Sequence, residues 1–141
     1  EVGIRGIPAA AFAIEPDVGL AIDGSFCWGA YGDEHQKNTA LGKGTGIYIM
    51  DALTIGNRRL VSFLYDICSK AGIPFQKNIG GGTDASGLQR SRAGVPATTV
   101  GAPTRYMHST VQLCHDDDVE ATIALLAAFL EHAHELFADG R

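Results

Sequence analysis

Short apolar runs and amphipathic stretches take turns along this chain. Val18–Ile22, Gly44–Met50 and Pro96–Gly101 are largely apolar, Phe75–Ile79 has apolar ends, and all four are five to seven residues long and bounded by glycine, proline or polar residues. Runs of that length with those borders predict buried strands. Between them Leu60, Phe63, Leu64, Ile67 and Ala71 recur at threes and fours, which predicts a helix over 57–71 with one buried face; Gly72 caps it and Pro74 stops it. A further helix is expected from about 85 to 93, capped by Thr83 or Asp84 and ended by Gly94. Val111–Cys114 reads as one more strand. The last helix starts at Asp116-Asp117-Asp118, where Asp117 and Glu120 have capping-box spacing. Its expected apolar face is Val119, Ile123, Leu126, Leu130, Ala133 and Phe137, over about 20 residues or roughly 30 Å. Residues 1–12 read as a strand end turning into a short helix, with Pro8 in the first turn. Strand and helix in alternation define an α/β layer with a mostly parallel sheet.

Size and charge narrow what such a layer does. At 141 residues the chain is one domain or part of one, long enough to bury roughly 70% of its unfolded surface. A net charge of −5, with no basic stripe, argues against nucleic acid. No apolar run reaches the roughly 20 residues of a membrane span. Three scattered cysteines without CxxC spacing argue against a zinc knuckle or redox pair and suggest free thiols, hence a cytoplasmic setting. The chain opens in an apolar-glycine phrase without a methionine, which suggests that a segment precedes it. Residues 24–43 are polar and glycine-rich, with Trp28 and Tyr31 as isolated anchors, and read as a functional loop bordering a site.

Three residues at the ends of predicted strands have the chemistry of a metal centre: Glu1, Asp23 and His108. Carboxylates offer hard oxygen donors that offset a cation's charge, and imidazole offers directional nitrogen. Open α/β sheets bind ligands beyond strand ends, which gives the shared location its meaning. Read singly, each has an ordinary structural alternative. Asp84 and Thr83 either cap a helix or touch a substrate, and Arg105 pairs with a substrate carboxylate or a structural acid. The glycines at 80–82 resemble a phosphate cradle but lack the GK[ST] ending. Ser109 sits in no GxSxG elbow, which argues against a serine hydrolase. His35 reads as a solvated loop residue, His115 as structural, and His132 and His134 as helix-end residues; Cys27 and Cys68 read as small buried thiols.

Taken in order, Glu1-Val2-Gly3-Ile4-Arg5-Gly6, Pro16-Asp17 leading to Ala21-Ile22-Asp23, Leu41-Gly42-Lys43-Gly44, Gly82-Thr83-Asp84-Ala85 and Arg105-Tyr106-Met107-His108-Ser109 resemble the tetrahedral-aminopeptidase family. These are dinuclear metallo-aminopeptidases of the glutamyl or deblocking type, some bearing an older endoglucanase label. The resemblance covers nearly the whole chain. It implies a three-layer α/β/α sandwich of the zinc-exopeptidase kind, here the C-terminal part of the catalytic domain and so incomplete. It also implies two divalent metals, zinc or cobalt. Glu1 then resembles a terminal ligand of one metal, His108 its second protein ligand, and Asp23 the terminal carboxylate of the other.

The family pattern also needs an upstream histidine, an upstream bridging aspartate and a glutamate just before Glu1, the general base. None of the three is in this chain. By themselves these residues are therefore expected to bind metal weakly and to show little peptidase activity. The resemblance further implies short peptide substrates and a homo-oligomeric parent protein, although the inserted domain that drives dodecamer assembly would also lie upstream. Gly24-Ser25-Phe26-Cys27-Trp28 departs from the commonest family loop, so substrate preference is expected to differ. Two rivals remain: an endoglucanase-type glycosidase, which needs two carboxylates about 5–10 Å apart and no metal–histidine site, and a non-catalytic fold or assembly module.

Overall fold

The computed structural model describes residues 3–27 and 39–138. The expectations placed on Glu1, Trp28, Tyr31 and His35 therefore lie outside the described residues.

Among the described residues seven strands and four helices follow one another: α1 Gly6–Ile14, β1 Gly19–Ile22, β2 Ser25–Phe26, β3 Thr45–Asp51, α2 Arg58–Ala71, β4 Phe75–Gly80, α3 Ala85–Gln89, β5 Ala97–Gly101, β6 Pro103–Arg105, β7 Leu113–Cys114 and α4 Asp116–His132, with a 3₁₀ turn Ala133–Phe137 at the end. The main sheet has the order β1-β5-β3-β4. β1/β5 and β3/β4 are parallel and β3/β5 antiparallel, so the expected mostly parallel sheet is present with one reversed join. A small sheet, β2-β6-β7, continues from it. The parallel pair β1/β5 bends at Asp23-Gly24 and Ala102 and carries on as the parallel pair β2/β6.

Helices cover both faces of the main sheet. On one face α2 and α4 bury Leu60, Leu64, Leu125 and Phe129 against Ile47 of β3 and Val100 of β5. On the other, α1 and α3 enclose a smaller core of Ala11, Ala85 and Leu88 against Ala21 and Ala97. Successive residues of β5 thus serve opposite cores, as the pleat requires.

α2 forms where its periodicity predicts. Asn57 caps it, its Oδ1 accepting from the Leu60 N–H at 3.0 Å, and Gly72 closes it with φ 69°. α3 is shorter than expected. The chain leaves the helix at Gln89 and enters successive turns, Ser91 N–H to Leu88 O and Gly94 N–H to Ser91 O. Arg92, at φ 50°, stacks on Phe12 and pairs with Glu15 at 2.7 Å.

α4 is the instructive departure. Its N-cap is His115, whose Nδ1 accepts from the Asp117 N–H at 3.2 Å, in place of an Asp117/Glu120 capping box. Its buried face is Asp118, Ala121, Thr122, Leu125 and Phe129, while Ile123 and Leu130 point outward at 54% and 76% exposure. Two polar residues lie on the inner face, so hydropathy alone phases the helix wrongly. Asp118 is wholly buried and accepts from the Gly42 and Gly44 N–H groups, each at 2.7 Å.

Thiol chemistry follows burial here. Burial pushes the Cys68 thiol up to about 11, whereas Cys114 is exposed. Treating the native protein with a disulfide reagent at pH 8 is therefore expected to modify Cys114 and spare Cys68. Peptide mapping by mass spectrometry reads the outcome, and Cys68 labelling at the Cys114 rate would contradict this packing.

Candidate functional site

A cavity of about 760 Å³ opens where the two sheets meet, lined among others by Asp23, Gly24, Tyr48, Thr83, Asp84, Arg90 and His108. The size suits a small-molecule or peptide-end site. A second cavity of about 560 Å³ lies beside Arg59 and Arg92 and is lined by none of the candidate site residues Asp23, Thr83, Asp84, Arg105 and His108.

Asp23 follows β1 directly. Its Oδ1 accepts the Gly24 N–H at 2.7 Å, which fixes the carboxylate against its own turn. Gly101 must be a glycine for this to happen, because a β-carbon there would overlap the Asp23 carbonyl oxygen. The Gly24 carbonyl in turn accepts from the Tyr48 hydroxyl at 2.7 Å. Tyr48 is 2% exposed, and burial pushes its phenol up to about 12, so it remains a donor throughout the neutral range.

His108 arrives by a different route from the one its sequence neighbours predict. The apolar run before it ends as β5 at Gly101, and the chain then makes β6 before turning. Tyr106 and His108 hold φ 60° and 62°, with the Ser109 N–H on the Tyr106 carbonyl at 3.1 Å. Left-handed backbone at non-glycine residues costs about 1–3 kcal/mol each and persists only where the surroundings enforce it. Met107 provides part of that enforcement: its Cε and Sδ lie 3.0 and 3.3 Å from where a β-carbon would stand on Gly24. The His108 ring lies 6.2 Å from that of Phe26. The turn carrying His108 is thus packed directly on the turn carrying Asp23.

Thr83 and Asp84 divide the roles left open for them. The Thr83 hydroxyl is buried, accepts from the Ala85 N–H at 3.3 Å, and bonds Asp51 Oδ2 at 2.8 Å and the Thr99 hydroxyl at 2.6 Å. Asp84 occupies the N-cap position of α3 without a side-chain cap bond, and its exposed carboxylate faces the cavity. Arg105 ends β6, and among the described residues its buried Nε has no hydrogen-bond partner and it does not line the cavity. Among the described residues the cation that lines the cavity is Arg90, whose Nε donates to the Ser86 carbonyl at 3.0 Å. Sequence reasoning missed both Arg90 and Tyr48. A tyrosine inside a buried strand was the available signal, since a buried phenol needs a partner.

Asp23 and His108 present a carboxylate oxygen and an imidazole nitrogen to one cavity, and a backbone N–H orients the carboxylate. That donor chemistry fits zinc or cobalt. Among the described residues no group of three or more His, Cys, Asp or Glu side chains comes together to hold an ion, and Glu1 lies outside them.

A helix-clad α/β sheet thus brings an acid and an imidazole to one cavity. The chain belongs to the M42 glutamyl aminopeptidase family, whose model matches residues 1–125. It is 39% identical over 134 residues to a lysyl aminopeptidase of Pyrococcus furiosus, spanning 93% of this chain and 38% of that protein. It is similar in structure to aminopeptidase APDkam598 from the archaeon Desulfurococcus kamchatkensis, with TM-score 0.89 and 35% identity over 92% of this chain and 38% of that one. The TET1 peptidase of Pyrococcus horikoshii, which can assemble into a tetrahedron or a large octahedral shell, matches at TM-score 0.77 and 32% identity over 91% of this chain and 37% of its own. The chain thus spans little more than a third of the length of these relatives. The resemblance read from the motifs, and the α/β fold that it implied, are borne out.

Proposed function

We propose that this chain supplies part of the active site of a metal-dependent aminopeptidase that removes N-terminal residues from short peptides through a metal-activated water. The observation that carries the reading is the placement of Asp23 and His108 on one cavity by two turns packed against each other. Family membership gives that pair its meaning.

Asp23 and His108 would hold the metals together with Glu1 and with groups that the family pattern places before Glu1. Two bound divalent ions, zinc or cobalt, lower the pKa of an attacking water and polarise the scissile carbonyl. The chain's own residues do the rest. Asp84 offers a carboxylate to the ammonium of the peptide N-terminus. Phe26 and Leu53 give that end of the cavity an apolar wall for the first side chain. Thr83 is a positioning residue: its bonds to Asp51 and Thr99 fix the turn from which Asp84 projects. Arg105 lies beyond the cavity lining and takes no part in this reading. The shells reported for the TET1 peptidase support a homo-oligomeric protein. The scattered cysteines support a cytoplasmic one, and no helix of the described residues is long and apolar enough to cross a membrane.

The test uses the whole polypeptide that carries these residues, loaded with Zn²⁺ or Co²⁺ and assayed on leucine, lysine and glutamate p-nitroanilides. His108→Ala and Asp23→Asn are each expected to lower kcat/KM by at least ~10³, roughly 4 kcal/mol of transition-state stabilisation. Activity that survives both substitutions would overturn the reading. So would hydrolysis of carboxymethyl-cellulose without anilide hydrolysis. A polypeptide of these 141 residues alone is expected to bind Zn²⁺ weakly and to hydrolyse little.

A further inference from the structure

We infer that Tyr48 is a positioning residue for Asp23: its hydroxyl locks the Gly24 peptide that in turn holds the carboxylate. The inference rests on the reading of Asp23 as a ligand only for its metal arm.

Gly24 is where the chain leaves the main sheet for the small one, since β1 ends at Ile22 and β2 begins at Ser25. A glycine at such a junction has the widest backbone freedom of any residue, so the turn needs an outside restraint. Both of its polar groups are engaged. The N–H donates to Asp23 Oδ1 at 2.7 Å and the carbonyl accepts from Tyr48 Oη at 2.7 Å.

Tyr48 is itself fixed on three sides. Its backbone carbonyl accepts from the Thr98 hydroxyl at 2.6 Å. Its ring fills the space left by Gly80, where a β-carbon would lie 2.7 Å from Cε1. It is 2% exposed and belongs to the seven-residue strand at the middle of the fold. A rigid strand therefore reaches through one hydroxyl to the only soft joint beside Asp23 in this turn. Gly24 borders the cavity, where water is able to replace the hydroxyl on its carbonyl. Satisfying that carbonyl does not by itself require tyrosine. Holding it at one place does.

Tyr48→Phe removes the oxygen and keeps the ring. In the metal-free protein, amide exchange of Gly24 followed by NMR is expected to speed up about five- to tenfold, the worth of one hydrogen bond. Zn²⁺ titrated into the same sample is expected to bind about 10–100-fold more weakly. Thr122→Val serves as the control. It deletes buried hydroxyl bonds to Thr45 and Asp118 on the opposite face of the sheet. It should lower stability while leaving Gly24 exchange and Zn²⁺ affinity unchanged. Gly24 exchange in Tyr48→Phe equal to that of the parent or the control overturns the inference. Loss of Zn²⁺ binding in Asp23→Asn with none of the expected weakening in Tyr48→Phe overturns it too. If Asp23→Asn leaves Zn²⁺ binding intact, the ligand reading falls, and the metal-free exchange rate alone decides for or against the hydroxyl lock.

Discussion

Asp118→Ala is expected to destabilise the domain by about 3–5 kcal/mol, the largest loss from any single side chain considered. Asp118 is 0% exposed, and its two oxygens accept from the Gly42 and Gly44 N–H groups at 2.7 Å each. Hydrogen bonds to a charged group contribute about 1.5–3 kcal/mol apiece, and two backbone donors would be left without a partner. The loss also unpins a turn. Gly42 and Gly44 sit at φ 71° and 94°, so Leu41-Gly42-Lys43-Gly44 has left-handed backbone held open for this carboxylate. Thr122 links the same point to β3 through Thr45 at 2.9 Å. Asp118→Asn keeps one acceptor and should fall between the parent and the alanine variant, at about 1–3 kcal/mol. Thermal unfolding followed by circular dichroism reads both. A melting temperature for Asp118→Ala within a degree or two of the parent would show that these bonds contribute nothing net.

The same residue shows where the sequence is legible and where it is not. An acidic run before an apolar repeat announces a helix start, and α4 does begin at Asp116. The repeat does not reveal that the third acid turns inward. Hydropathy scores Asp118 and Thr122 as surface, and so rotates the predicted face onto Ile123 and Leu130, which the fold leaves exposed. The partners that make burial of Asp118 favourable are backbone N–H groups 76 and 74 residues away, and no local pattern encodes them. α2 is the opposite case. Its cap, apolar face and stop are all local: Gly72 and the break before Pro74 are found as read, and so are Leu60, Leu64 and Ile67 of the face, with Val61 and Cys68 buried beside them in place of the exposed Ala71 and the half-buried Phe63.

The candidate site divides along the same line. Asp23 and His108 were legible as residues at strand ends, and the family phrases joined them. That the two belong to turns packed on each other through Met107 and Gly24 is a fact of tertiary structure. So is the different setting of Arg105: three residues from His108 along the chain, it ends a strand, whereas His108 lies in a turn with left-handed backbone on the cavity wall.

Gly101→Ala is expected to damage both fold and site, and the manner of damage distinguishes the two. A β-carbon at Gly101 would overlap the Asp23 carbonyl oxygen, an atom of rigid backbone that no side-chain rotation can move aside. β5 is buried along its whole length, so it has little room to retreat. The remaining way out is for the β1–β2 junction to swing away, breaking the bond from the Asp23 N–H to the Val100 carbonyl, now 3.1 Å. The Ser25 hydroxyl bond to the Gly101 carbonyl, 3.1 Å, would go with it. Overpacking of a close-packed core costs about 1–3 kcal/mol and more when backbone must shift, so about 2–4 kcal/mol is expected. Because the shift is imposed at Asp23, Zn²⁺ affinity should fall further than stability does. A core truncation of similar cost, Leu64→Ala beneath α2, should lower stability by about 2–5 kcal/mol yet leave the metal affinity of the folded fraction unchanged. Chemical denaturation paired with Zn²⁺ titration on the two variants separates them. If Gly101→Ala weakens metal binding no more than Leu64→Ala does, then the close approach of β5 to Asp23 serves the fold alone.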